Sequence, residues 1–221
     1  NNVTGTAGGA GDITIAGVET VNVSSNTLKS ELNSLVIASA TTMNVTGDKD
    51  LTIDNTALNF ADTTATAASA IDGTINASSF TGKLKVAVNA ADNMSITGGS
   101  GNDTFIMAAG MNGYDVIDGG DGTDTITMNG AALTTQFAQT SNVETLSINA
   151  QATALAADVS KFGGSTVVVD LQDAAGGDST TVDSTITKAE GKTIALSKTV
   201  DDAADANNND GSKVTISLAT D

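Results

Sequence analysis

The sequence predicts an all-β protein with a parallel β-roll or β-helix-like segment, and three observations carry that prediction. Short runs of alternating apolar and polar residues recur at intervals near ten residues, as in a sandwich, barrel or solenoid. The composition is rich in strand and turn formers: 34 Thr and 23 Gly, with 22 Asp but only 4 Glu, although Glu is the better helix former. Glycine-aspartate nonapeptides occupy the middle of the chain.

Along the chain, strands are expected at Asp12–Ala16, Val18–Ser24, Ser34–Ala38, Met43–Thr46 and Leu51–Asp54. Further runs are Lys83–Asn89, Met94–Thr97, Thr125–Met128, Val143–Asn149, Thr166–Leu171, Thr193–Ser197 and Val214–Leu218. Most alternate apolar and polar residues, so that one face is buried and the other wet. With one Tyr, five Phe and no Trp, the core must be layers of Val, Ile, Leu and Ala. Three segments carry helical spacing: Thr27–Leu32, Ala131–Gln139 and Gln151–Phe162. The last places Leu155, Val159 and Phe162 on one face before Gly163-Gly164, so a short helix is expected near 151–162. Three regions follow: 1–97, Thr- and Ala-rich β structure; 98–127, the nonapeptides; and 128–221, β structure with that helix.

The 221 residues contain no Cys, His, Pro or Arg. Disulfides, thiolate and imidazole metal sites, and Ser-His-Asp or Cys-His catalysis are therefore excluded. A net charge of −17 with nine scattered Lys argues against nucleic acid and anionic membranes as partners. No run approaches the ~18 apolar residues of a membrane span. With neither a signal peptide nor an initiator Met, the chain reads as a fragment, a processed form or a product of another export route. The acidic stretch Asp201–Gly211 lacks the EF-hand pattern and reads as a solvated loop.

The chemistry concentrates in 98–127. Gly98–Ile106 (GGSGNDTFI) and Gly119–Thr127 (GGDGTDTIT) match the nonapeptide G-G-x-G-x-D-x-U-x at every fixed position, where U is large and apolar. Gly110–Asp118 (GMNGYDVID) keeps Gly113, Asp115 and Ile117 but has Met111 for the second Gly. Six residues form a glycine-rich turn with inward carbonyls and a terminal Asp; three form a strand whose U residue, Phe105, Ile117 or Ile126, enters the core. Such turns offer the hard oxygens that calcium takes six to eight of. The candidate metal set is Gly98, Ser100, Gly101, Asp103, Gly113, Asp115, Gly119, Asp121, Gly122 and Asp124. Two repeats wind one coil, so the Asp103 and Asp124 turns stack around one good site and Asp115 lies opposite in a less complete one. Asp118 and Asp121 are outside the fixed positions and read first as solvated; Tyr114 reads as a packing residue. The competing interpretation is that these turns only punctuate a β protein.

The nonapeptides resemble the RTX calcium-binding repeats of proteins exported by the Gram-negative type I secretion route. Val18–Val23 and Val143–Ile148 share V-E-T-[VL]-x-[VI], and with the Thr-rich strands they resemble RTX-type S-layer proteins of the Caulobacter and Campylobacter kind and related adhesins. Gly8–Asp12 (GGAGD) resembles a decayed nonapeptide. The resemblance implies an extracellular, secreted cell-surface structural protein that folds and self-assembles with calcium. Its expected partners are copies of itself, in a two-dimensional lattice or homo-oligomer, and cell-envelope polysaccharide contacted through regions outside this chain. The alternative is a non-catalytic folding and secretion module, or adhesin domain, of a larger RTX protein. Catalysis on acidic polysaccharide by pairs such as Asp48 with Asp50, or Asp201 with Asp202, lacks the aromatic platform and basic groups it would need, so no enzyme is expected. Adhesion to other ligands, or to ice through Thr arrays, remains a fourth reading.

Overall fold

A computed structural model describes residues 2–4, 11–60, 70–88, 93–107, 111–129, 139–149, 156–160, 162–170, 184–187, 189–197 and 214–217. Strands follow one another along the chain: β1 (Asn2–Thr4), β2 (Gly11–Thr14), β3 (Thr20–Ser25), β4 (Ser30–Val36), β5 (Thr42–Gly47), β6 (Leu51–Leu58) and β7 (Gly73–Phe80). They continue as β8 (Leu84–Val88), β9 (Met94–Thr97), β10 (Thr104–Met107), β11 (Val116–Asp118), β12 (Thr125–Asn129) and β13 (Gln139–Ser141). The last are β14 (Thr145–Asn149), β15 (Ala156–Asp158), β16 (Thr166–Asp170), β17 (Ser184–Thr187), β18 (Thr193–Ser197) and β19 (Val214–Ser217).

Odd and even strands separate. The even strands β2 to β18 form a nine-stranded sheet in which each pairs with the even strand before and after it. The odd strands form a seven-stranded sheet from β1 to β13 and a three-stranded sheet of β15, β17 and β19. All pairings are parallel. The chain is thus a β-solenoid: it crosses from one sheet to the other and returns one rung higher. The even sheet passes residues 97/98 and 127/128 without interruption, so the three expected regions share one ladder.

The common register turns sequence alternation into columns. Phe105 lies beside Val86 and Ile126, Ile126 beside Leu146, and Leu146 beside Val167. All five are at most 1% exposed. On the odd sheet Val21, Met43, Ile75, Ile96 and Ile117 form the facing column. Each is a large aliphatic or Met side chain, as a core between two closely spaced sheets without Trp requires. Outside the even sheet the Thr104, Thr125, Thr145, Thr166 column is half-buried, and outside the odd sheet Asn44 donates from Nδ2 to Asn22 Oδ1 at 2.9 Å.

No helix occurs among the described residues. In the region expected to be helical, 156–158 is β15, paired with β17, while 151–155 and 161 lie outside the described residues. Val159 and Phe162 are both buried because the chain turns between them, Phe162 N–H donating to Val159 O at 3.2 Å; their three-residue spacing is that of a turn. Thr27–Leu32 is likewise a turn leading into β4, with Ser30 and Leu32 inward on alternating positions. Of Ala131–Gln139, only Gln139 is described, and it opens β13. Both Asp201–Gly211 and positions 8–10 of the Gly8–Asp12 run lie outside the described residues.

Leu146→Ala is expected to destabilise the chain by about 2–5 kcal/mol because the columns above and below hold the cavity open. Thr145→Ala, one residue away on the outer face, should cost no more than about 0.5 kcal/mol. Urea denaturation of the two variants checks the pair, and equal losses would contradict the inward-outward assignment.

Candidate functional site

The turns from odd to even strands stack along one edge of the solenoid. Several are short: 81–83 joins β7 to β8, and 142–144 joins β13 to β14. The two complete nonapeptides instead give six-residue turns, 98–103 and 119–124, on consecutive coils. Strands β9 and β11 pair just before them and β10 and β12 just after, so the expected stacking of the first and third repeats is met. Asp115 stands at the opposite edge, where the chain passes from β10 to β11.

Glycine is required here by close approach. A Cβ on Gly119 would collide with the Asn142 carbonyl oxygen and come within 2.5 Å of Asp124 Oδ2. Gly122 has φ +125°, and a Cβ there would meet the carbonyl oxygen of Gly101. The turns are then tied rung to rung: Gly98 N–H donates to Asp118 O at 2.8 Å, Asp121 N–H to Gly99 O at 3.0 Å, and Thr123 N–H to Asn102 Oδ1 at 3.0 Å.

The three nonapeptide aspartates are at most 1% exposed. Asp103 Oδ1 accepts from Leu84 N–H on the preceding coil and Oδ2 from Gly99 N–H of its own turn, both at 2.8 Å. Asp115 repeats this with Met94 N–H at 2.8 Å and Asn112 N–H at 2.7 Å. Asp124 follows the pattern on one side only: its Oδ1 accepts from Asp103 N–H at 2.7 Å, while its buried Oδ2 has no donor among the described residues. The corresponding amide, Gly120 N–H, donates to Asp118 Oδ1 at 3.2 Å instead. Above Asp124, Glu144 Oε2 accepts from Asp124 N–H at 2.6 Å. The acids therefore form a ladder, each capping the coil below.

Burial pushes the Asp103 and Asp115 carboxyls above the usual carboxylate range, against the two backbone donors that each accepts from. Asp124 is pushed up to about 6, first by burial and further by the charges of Asp103, Glu144 and Asp118, with Asp103 N–H opposing.

Of the other expected residues, Ser100 and Asp121 are exposed, and Ser100 contributes its N–H to Phe80 O at 2.9 Å. Gly98, Gly101, Gly119 and Gly122 lie in the two stacked turns, while Gly113 is at the far edge with Asp115. Tyr114 is 44% exposed, so it is a surface residue and not a packing one. The pattern did not single out Glu144, Asn142 or Lys192. Asn142 has φ +50° and donates from Nδ2 to Asp118 Oδ1 at 2.8 Å. Lys192 Nζ donates to the Phe162 and Gly164 carbonyl oxygens at 2.5 and 2.9 Å and sits 5.2 Å from the Phe162 ring centroid.

The donor set suits a hard cation: Asp124 offers an oxygen without a donor, beside a carbonyl and within an acidic field. Among the described residues no three acidic side chains converge on one point. A cation held here would therefore draw on backbone carbonyls and water as well as carboxylates. Of the pairs considered for catalysis, Asp48 bonds Lys49 at 2.6 Å and Asp50 accepts from Lys83 N–H, while 201–202 lie outside the described residues.

A buried acid whose folded pKa exceeds its unfolded value of about 3.9 stabilises the fold when protonated and loses that contribution as pH rises. In chelator, melting temperature is therefore expected to fall between about pH 4 and 6 and to be lower at pH 7 than at pH 5. Asp124→Asn should flatten this profile and raise the pH 7 melting temperature; an unchanged slope would remove Asp124 as its source.

No family model matches the chain, and no curated protein or solved structure shows a significant match to it.

Proposed function

We propose that this chain is a calcium-stabilised structural segment of an exported cell-surface protein of the S-layer or adhesin kind, and not an enzyme. The observation that carries the proposal is the stacking of two six-residue glycine turns with Asp103 and Asp124 buried on adjacent rungs, one carboxylate oxygen lacking a donor. In the absence of a cation, burying Asp124 as an anion is unfavourable, and its own turn gives nothing to offset the charge. Asp124, Asp103 and the carbonyls of the stacked turns are the groups that would hold calcium; bound, the ion supplies the positive charge that the buried carboxylates lack.

The described acids also serve backbone caps, and the outer columns of Thr and Asn present a regular polar face suited to repeated lateral contact. Both features favour a scaffold over a catalyst. No helix among the described residues is long and apolar enough to cross a membrane. Millimolar free calcium outside the cell and its scarcity inside would couple folding to export, since sites with Kd of roughly 10⁻⁴–10⁻³ M fill only outside.

Calcium at a hundredfold excess over Kd is expected to add about 2.7 kcal/mol to stability, or about 5–10 °C in melting temperature at this chain length. Thermal melts in millimolar calcium and in chelator, followed by circular dichroism, check this, and superimposed curves would refute calcium dependence. Light scattering at high protein concentration tests assembly: growth with calcium supports the lattice reading, and a strict monomer that still gains stability favours a non-catalytic module of a larger protein.

A further inference from the structure

The three buried aspartates hold equivalent positions, yet among the described residues Asp124 alone of the three has an oxygen without a donor. Asp103 and Asp115 each accept from the coil below with Oδ1 and from their own turn with Oδ2. Asp124 loses the second bond because Asp118 takes it. Asp118 stands where the preceding coil has Thr97, and its Oδ1 accepts from both Gly120 N–H and Asn142 Nδ2. Gly120, at φ +91°, turns its amide toward that acceptor. A single change from Thr to Asp between rungs thus leaves Asp124 Oδ2 bare inside the protein.

That oxygen lies where Gly119 meets the coil above. It is within 2.5 Å of the point where a Gly119 Cβ would sit, and the Asn142 carbonyl oxygen faces the same point. Glu144 caps Asp124 from the same turn as Asn142. One rung lower Asp103 Oδ2 and the Gly119 carbonyl oxygen approach the Gly98 Cβ position in the same way, but there Gly99 N–H satisfies the carboxylate. At Asp124 no described donor does, and a cation or a proton would stabilise the arrangement. On the Asp103 side both carboxylate oxygens are already saturated by amides.

We propose that the cation site lies above Asp124, between the 119–124 turn and the 142–144 turn, and draws on Asp124 Oδ2, the Asn142 carbonyl and Glu144. It is not the Asp103–Asp124 step that the nonapeptide pattern indicates. This rests on the calcium reading given above and relocates its site. The ligand is a divalent cation of the hard, oxygen-preferring class, with Asp118 adding charge and holding the Asn142 side chain in place.

The test is calorimetric titration of calcium into the full chain and its Glu144→Gln, Asp118→Asn and Asp103→Asn variants. Glutamine keeps an oxygen for Asp124 N–H and asparagine keeps one for the two donors to Asp118, so both caps survive. Loss of affinity by tenfold or more in the Glu144 and Asp118 variants, against less than threefold for Asp103→Asn, is the expected result. The reverse order would return the site to the nonapeptide pair and overturn the inference while leaving calcium dependence standing. Absence of binding in the unmodified chain overturns both. Gadolinium broadening of amide resonances gives a reading independent of variant folding: Asn142 and Glu144 should broaden before Gly82 and Lys83, and the opposite order counts against the site.

Discussion

Everything in this molecule depends on one constraint: each coil must offer its backbone N–H groups to the next in the same register. The sheets are parallel, and strand neighbours are about 4.8 Å apart, so a residue meets the matching residue of the coil above and below except at the register shifts in the β2–β4, β5–β7 and β6–β8 pairs. The core is consequently made of columns and not of scattered contacts. Val86, Phe105, Ile126, Leu146 and Val167 are neighbours because the ladder makes them so. Burying acids is feasible for the same reason. At the start of β8 and just ahead of β10 the backbone N–H is met by a carboxylate from the next coil, Leu84 by Asp103 and Asp103 by Asp124.

That economy has an electrostatic limit. One buried carboxylate satisfied by two amides is tolerable, and Asp103 and Asp115 remain so on opposite edges of the solenoid. Stacking Asp124 directly above Asp103, with Glu144 above and Asp118 alongside, adds like charges to a group already removed from water. The column therefore accumulates negative charge faster than backbone dipoles can offset it. The six-residue turns and the acids belong together: they set close carbonyls beside buried carboxylates, and only at Asp124 do the described backbone donors fall short.

Much of this was legible before any coordinates. Strands such as Thr193–Ser197 and Met94–Thr97 show their alternation directly, and the nonapeptide spacing places Asp103 and Asp124 on adjacent coils. What could not be read was whatever depends on the stack. Strand β7 carries Gly73, Ala77 and three Ser or Asn residues, weak strand formers on their own, and becomes a strand because β5 and β9 flank it. The buried spacing of Val159 and Phe162 imitates a helix because a turn can bring residues three apart to the same side. The V-E-T elements, alike in sequence, fall on opposite sheets: Thr20 opens β3 in the odd sheet and Thr145 opens β14 in the even one. Glu144 and Asn142 acquire importance from what lies beneath them, and no local pattern announces it.

Lys192 shows how the same problem is met one stage further on. Continuing the register of β16 and β18 outward, it follows Glu144 and Ser165 in the column that holds Asp103 and Asp124. Its ammonium rests on the carbonyls of Phe162 and Gly164, where burial weakens its hold on the proton. A tethered cation cannot diffuse away, be chelated or be exchanged. The two rungs thus differ in permanence: at Lys192 the compensating charge is part of the covalent chain, whereas on the calcium reading proposed above the charge at Asp124 would be borrowed from solution. On that reading a change in ionic surroundings would act on one rung of the solenoid, the rung where the stack could be opened or closed from outside.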